Sequence, residues 1–180
     1  MIIPEAIPDE GPDLFPDVIV LHGLPGSGKT TWWEEYFKSA IVLSTDSFFY
    51  EEGKYKFDRS KLSEAHTWCL SEFIAVLQNP DNNGRTVIVD NNNLSIFEAS
   101  PYMEIPKCFN RVAMLLTFVC PIEKCIRRQG HGVPIPDMMR KARNFASGGD
   151  HFPSFWQREY VFSGGDGMGE ASWVPSREVI

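Results

Sequence analysis

The stretch VIVLHGLPGSGKTTW, Val18 to Trp32, sets an apolar run ahead of three glycines, a lysine and two threonines. Val18 to His22 has the length and apolar continuity of a buried parallel strand, and TTWWEEYFK after the glycines is helix-forming. Gly23, four further residues, then Gly28-Lys29-Thr30 fits the pattern G-x-x-x-x-G-K-[ST] in full. Such a loop turns its backbone N–H groups inward around phosphate, and the following helix N-terminus adds partial positive charge. Gly23, Gly26, Ser27, Gly28, Lys29, Thr30 and Thr31 are therefore the expected nucleotide contacts. Within that set Lys29 is expected to bridge the β- and γ-phosphates of the nucleotide, and the Thr30 hydroxyl to ligate Mg²⁺. The alternative, a glycine turn that merely joins strand to helix, has no need of Lys29 and Thr30 together.

Outward from this loop, strand and helix patterns alternate. AIVLS (Ala40 to Ser44) is a second strand, and from Lys61 the residues Leu62, Ala65, Cys69, Phe73, Val76 and Leu77 recur at helical spacing until the breaker NPDNNG. TVIVD (Thr86 to Asp90) is a third strand, and Ser95 with Glu98 has capping-box spacing for a helix that Pro101 and Pro106 divide. AMLLTFV is a fourth strand, followed by a short helix in IEKCIRRQ, a loop in GHGVPIP and a helix in DMMRKARNF. This order predicts a three-layer α/β domain with a mostly parallel sheet. Residues 17–162 form that domain, with an extended leader at 1–16 and a mobile glycine-rich tail at 163–180.

At 180 residues the chain has the size of one domain, and its net charge of −7 argues against a surface coated for long nucleic-acid tracts. The charge is unevenly spread: residues 1–60 carry 11 acidic and 5 basic side chains, whereas Lys124 to Arg143 holds six basic residues against Asp137 alone. The longest nearly unbroken apolar run, Ala113 to Cys120, is far shorter than the roughly 20 residues of a membrane span. The leader is proline-rich and acidic, the reverse of a signal or transit peptide, so a cytoplasmic or nuclear protein without a membrane partner is expected. Cys69, Cys108, Cys120 and Cys125 show no CxxC pair and are expected as buried free thiols.

Asp46 follows the second strand in STDSFF, where a carboxylate faces the crevice of a parallel sheet and can take a proton from an attacking hydroxyl. A turn-capping role is the alternative. Asp90, after VIV, offers a carboxylate to a Mg²⁺ site, with an Asx turn as the alternative. Arg127 and Arg128 close one short helix, and Arg140 and Arg143 share a face of the next, so four guanidiniums can converge on phosphate from opposite the glycine loop; a solvated helix face is the bland reading. Phe48 and Phe49 are open to either stacking on a base or packing, Trp68 and Trp156 read as core, and neither His66 nor His131 has partners at metal-ligand spacing.

The blocks GLPGSGKTTW, STDSFF, GKYKF, EAHTW, VIVDNNNLSIFEASPY and RRQGHGVPIPDMMRKARNF resemble the P-loop kinase domains of the phage-type 5′-hydroxyl polynucleotide kinases and their close animal relatives. The resemblance runs from about Val18 to Phe145 and implies a P-loop kinase-like domain with a helical lid. It implies transfer of the ATP γ-phosphate to the 5′-hydroxyl end of RNA or DNA, with Lys29 and Thr30 on ATP and Mg²⁺, Asp46 as general base and Arg128 as lid arginine. The acceptor is expected beside Phe48, Phe49 and Asn93. Phage enzymes of this type flank the aspartate with basic residues, where this chain has Thr45, Ser47, Phe48 and Phe49; animal relatives usually carry aspartate at Ser47 and threonine at Asn92. A kinase of a nucleoside, sugar or antibiotic and a nucleotide-binding regulatory module are the alternative functions.

Overall fold

A computed structural model describes residues 16–130, 132–148, 151–163 and 171–174. Five strands run parallel: β1 (Val18–His22), β2 (Ile41–Leu43), β5 (Val87–Val89), β6 (Ala113–Val119) and β7 (Gln157–Ser163). A sixth, β8 (Ala171–Val174), closes the edge antiparallel to β7, giving the order β2-β5-β1-β6-β7-β8. A separate small hairpin joins β3 (Tyr50–Glu51) to β4 (Lys54–Tyr55). Its two turn residues, Glu52 and Gly53, both take positive φ (51° and 74°), the geometry that matches the twist of the flanking strands.

Strand periodicity builds the three layers. Val18 and Val20 of β1, Val87 and Val89 of β5, and Leu115 of β6 face one core cluster, closed by Cys69, Phe73 and Leu77 of α2 (Leu62–Gln78) and by Ala99, Tyr102 and Met103 of α3 (Ile96–Glu104). The intervening Ile19, Leu21, Ile88, Met114, Leu116 and Phe118 face the other side, against Trp32, Trp33 and Tyr36 of α1 (Lys29–Tyr36). A third cluster, Leu24, Leu94, Cys125 and Met138, packs the glycine loop under α4 (Ile122–Arg128) and α5 (Ile135–Gly148).

The anticipated strands and helices form within a residue or two of their expected ends, except that α5 runs three residues past Phe145, and Ser95 and Glu98 make the full capping box. Pro101 does not interrupt α3. An interior proline costs about 3 kcal/mol, and burial of Tyr102 and Met103, the two residues after it, offsets it at about 1.5–3 kcal/mol for a large apolar side chain. The break comes at Pro106, where the chain tightens into a 3-10 turn over Ile105–Phe109.

Four strands escape the sequence patterns, the β3–β4 hairpin and the last two strands of the sheet. β7 pairs with β6 on one side and β8 on the other, and β8 falls inside the stretch expected to be a mobile tail. Its backbone pairs with β7, Ser163 opposite Ala171 and Tyr160 opposite Val174, so ladder hydrogen bonds order a segment whose composition carries little periodic signal. The leader falls almost wholly on residues 1–15, and the rest of the tail, 164–170 and 175–180, likewise lies outside the described residues, as does His131. All four cysteines are free, but only Cys69 and Cys125 are buried; Cys108 is exposed and Cys120 half-buried. No helix among the described residues is long and apolar enough to cross a membrane.

Candidate active site

The carboxyl ends of the parallel strands open on one cleft of about 1000 Å³, the place where open α/β sheets bind ligands. β1 delivers the glycine loop, β2 the turn bearing Asp46, β5 the run Asp90–Asn93, and β6 the chain into α4. Gly26, Ser27, Gly28, Lys29, Thr30 and Thr31 all line it. Gly23 does not; its N–H donates to the Asn92 carbonyl at 3.0 Å, so it frames the loop from behind. Gly28 enters α1 in the left-handed region (φ 101°) and gives the helix no side-chain cap, leaving the first-turn N–H groups turned to the cleft mouth.

Lys29 is buried, and its ammonium donates to the carbonyls of Gly23 (3.0 Å) and Leu24 (2.9 Å) and to Asn92 Oδ1 (3.3 Å). Burial lowers its pKa from 10.5 to about 8, against the raising effect of Asp90. Ser27 Oγ is buried without a hydrogen-bond partner in the same loop. An orphaned hydroxyl, an ammonium held only by neutral oxygens and an uncapped helix start together fit a polyphosphate. The Thr30 hydroxyl donates to Asp90 Oδ2 at 2.9 Å, and Trp33 Nε1 donates to the same oxygen at 2.8 Å. Asp90 is thus held beside Thr30 rather than turned back on its own backbone, and the two are oxygen ligands of the kind Mg²⁺ takes.

Three consecutive asparagines tie the strand ends together. Asn91 Oδ1 accepts from the Thr45 N–H (2.8 Å), and Asn92 holds Gly23 and Lys29. Asn93, at positive φ (49°), donates its amide to the Leu21 carbonyl at 2.7 Å. Asn93, expected beside the acceptor, lines the cleft but is only 3% exposed, and its amide nitrogen is held by β1.

Asp46 sits in a 3-10 turn (Thr45–Phe49) capped by Ser44, and its Oδ1 accepts from the Tyr55 hydroxyl at 3.1 Å. The aromatic pair after it behaves differently from expectation. Phe49 is 3% exposed, packed against Phe48, Tyr55 and Phe57, while Phe48 turns away to Trp68 at 5.9 Å. Neither lines the cleft. The tight turn sends these two rings behind the aspartate, and the hairpin brings Tyr55 and Phe57 to the cleft wall in their place, with Arg59 and His66 beside them. The resemblance block GKYKF held that signal, since Tyr55 and Phe57 lie within it, but nothing local to it says which ring faces inward.

On the lid side, Arg128 and Arg140 line the cleft, Arg128 donating to Ser163 Oγ (3.1 Å) and Arg140 paired with Asp137 (2.7 Å). Arg127 and Arg143 are exposed and outside it, and Lys141 takes the inward place. The four-guanidinium convergence is therefore two guanidiniums and an ammonium, because the helical rotation that turns Arg128 inward turns Arg127 out. The Gln129 side chain clamps the lid loop, accepting from the Val133 N–H (2.7 Å) and donating to its carbonyl (3.0 Å). His22, at the end of β1, is buried between Phe145 and Phe152, and burial lowers its pKa to about 4. Among the described residues no cluster of His, Cys, Asp and Glu could by itself hold a metal.

Known proteins are similar to this chain in sequence or in fold. The chain is 36% identical to human (Homo sapiens) NEDD4-binding protein 2 over 91 residues, 49% of this chain and 5% of that protein. Among solved structures it is similar to a chain of the AvrRxo1-ORF1:-ORF2 complex with ATP, with a TM-score of 0.63 at 18% identity over 88% of this chain and 57% of that one. A gluconokinase from Sinorhizobium meliloti 1021 superposes with a TM-score of 0.55 at 17% identity, covering 82% of this chain and 83% of that one. A chain of the Pnkp1/Rnl/Hen1 RNA repair complex gives 0.59 at 20%, covering 77% and 47%. The chain thus spans a small part of the curated relative and about half of two of these structures. The fold they share is that of P-loop kinases. The family model described as AAA domain matches residues 18–131, well over half of the sequence, and the chain belongs to that family.

Proposed function

We propose that this domain transfers the γ-phosphate of ATP to a hydroxyl group, and that the acceptor is the 5′-hydroxyl end of RNA or DNA. The observation that carries the reading is the convergence of three chemistries on one cleft: the phosphate loop with Lys29 and Thr30, the Asp46 carboxylate, and Arg128 with Arg140 from the lid. Asp46 accepts the proton of the attacking hydroxyl while a bond forms from that oxygen to the γ-phosphorus. The bond from phosphorus to the β,γ-bridging oxygen breaks, and ADP leaves with the electron pair. Lys29 exchanges its carbonyl partners for phosphate oxygens, and Arg128 meets the charge that spreads over the transferring group. Thr30 and Asp90 would hold Mg²⁺, which supplies charge neutralisation when bound. Tyr55 orients the base by donating to Asp46.

Support for a nucleic-acid acceptor comes from the sequence blocks already described and from the fold shared with a chain of an RNA repair complex. The net charge of −7 and the aromatic wall at Tyr55 and Phe57 favour a second reading, a small hydroxyl compound such as a nucleoside or sugar. Incubation with γ-labelled ATP and Mg²⁺ against 5′-hydroxyl oligonucleotides, 3′-nucleotides and sugars separates the two. Label on the oligonucleotides, with or without label on the 3′-nucleotides, supports the first reading, and label only on sugars supports the second. Binding of ATP without transfer to any of them would leave a nucleotide-binding regulatory module.

A further inference from the structure

Beyond Asp46 the cleft wall is built by the β3–β4 hairpin and the residues that follow it. Phe57 is 53% exposed there, an unusual degree for a ring lining a site. Its ring is nonetheless held, 5.1 Å from buried Phe49 and near-parallel to Tyr55 (6.5 Å, 18°). Tyr55 in turn touches the proposed base, so the open ring stands one aromatic side chain away from Asp46. Arg59, two residues on, lines the same cleft. Asp58 accepts from the Ser60 N–H (2.9 Å) and hydroxyl (2.7 Å), which pins the turn that carries Arg59.

A flat ring backed by buried Phe49 and half-buried Tyr55 and open on the cleft side is a stacking surface with little ordering left to lose on binding. A guanidinium close to it suits a phosphate. We propose that Phe57 stacks on the base of the acceptor's 5′-terminal nucleotide and that Arg59 takes the phosphate joining it to the next, so that the hairpin selects a nucleic-acid end over a plain sugar. The inference rests on the polynucleotide reading above and names the acceptor subsite within it. Because every base presents a π face, this subsite reads the presence of a base and is tolerant of its identity.

The test compares phosphorylation of a 5′-hydroxyl oligonucleotide with that of the same oligonucleotide carrying an abasic 5′-terminal nucleotide. The unaltered protein should show a KM for the abasic acceptor about 5- to 150-fold higher, the range that base–aromatic stacking supplies. Phe57→Ala should raise the KM for the intact acceptor by a similar factor and add little on the abasic one. Phe57→Trp should restore it and Phe57→Leu should not, while Phe155→Ala, an exposed ring outside the cleft, changes neither. Arg59→Ala should flatten the logarithmic salt slope by about 0.7, one single-strand phosphate contact. Unchanged ATP affinity in each variant verifies folding. Equal KM for intact and abasic acceptors, which needs no variant to observe, overturns the inference while leaving the kinase reading intact. So does a Phe57→Leu protein that matches the parent. Transfer to sugars with none to oligonucleotides overturns the polynucleotide reading and the subsite with it.

Discussion

Gly26→Ala tests how the phosphate loop is coupled to the lid. Gly26 has φ 78°, and a Cβ there would lie 2.4 Å from the Cys125 carbonyl oxygen and 2.8 Å from the Gln129 N–H nitrogen. Those two atoms are themselves hydrogen-bonded at 3.0 Å, the last turn of α4. Both are backbone, so no rotamer change relieves the clash, and reaching ordinary contact needs a displacement of about 1 Å. The left-handed conformation costs alanine roughly 1–2 kcal/mol and overpacking about 1–3 kcal/mol more. Together they should lower Tm by about 4–20 °C, at roughly 2–4 °C per kcal/mol for a domain of this size. The displaced turn carries Arg128, so single-turnover phosphorylation should fall by about 10², the scale set by an ångström of misplacement. Gly84 has the same φ of 78° with nothing within 4 Å, so Gly84→Ala isolates the conformational part alone. Thermal unfolding of both variants beside single-turnover transfer makes the comparison. Equal losses of Tm in the two, with parental transfer in Gly26→Ala, would refute the proposed contact between loop and lid.

Titration of Lys29 should separate ATP affinity from stability. Its pKa of about 8 in the free protein is lowered by burial and should rise again against phosphate, so ATP affinity should hold below pH 8 and fall by up to about tenfold per pH unit above it. The unliganded fold binds fewer protons than the unfolded chain between about 8 and 10.5, so its stability should rise across the same window; tryptophan fluorescence and urea unfolding read the two, and parallel trends would contradict the assignment. Asp46→Asn should keep ATP affinity while turnover drops by roughly 10² or more, and an equal loss of both would make Asp46 a metal or structural residue. Arg128→Ala should slow single-turnover transfer by at least ~10² with little recovery in Arg128→Lys, whereas Arg143→Ala, outside the cleft, should stay near parental; the reverse pattern would reassign the lid.

The phosphate loop, the alternation of strands and helices and the capping box at Ser95 were all readable from the chain, because each depends on residues a few positions apart. Gly23 to Thr30 encodes its own backbone path, and the alternate sides of Val18–Leu21 follow from the pleat alone. The facing of side chains around the cleft was not readable, since it depends on elements far apart in sequence. Phe48 and Phe49 lie two and three residues after Asp46, yet the 3-10 turn directs them into packing and a hairpin turn at Glu52–Gly53 carries Tyr55 back to the carboxylate. Asn93 looks like a free polar group beside the site until the Leu21 carbonyl, 72 residues away, claims it. Arg127 and Arg128 are equivalent by composition, and only the packing of Cys125 into the third core cluster sets the rotation that sends one to the cleft and the other to solvent. β8 is the extreme case: its four residues form a strand by pairing with β7, a partner supplied by the folded sheet and lying outside the segment itself.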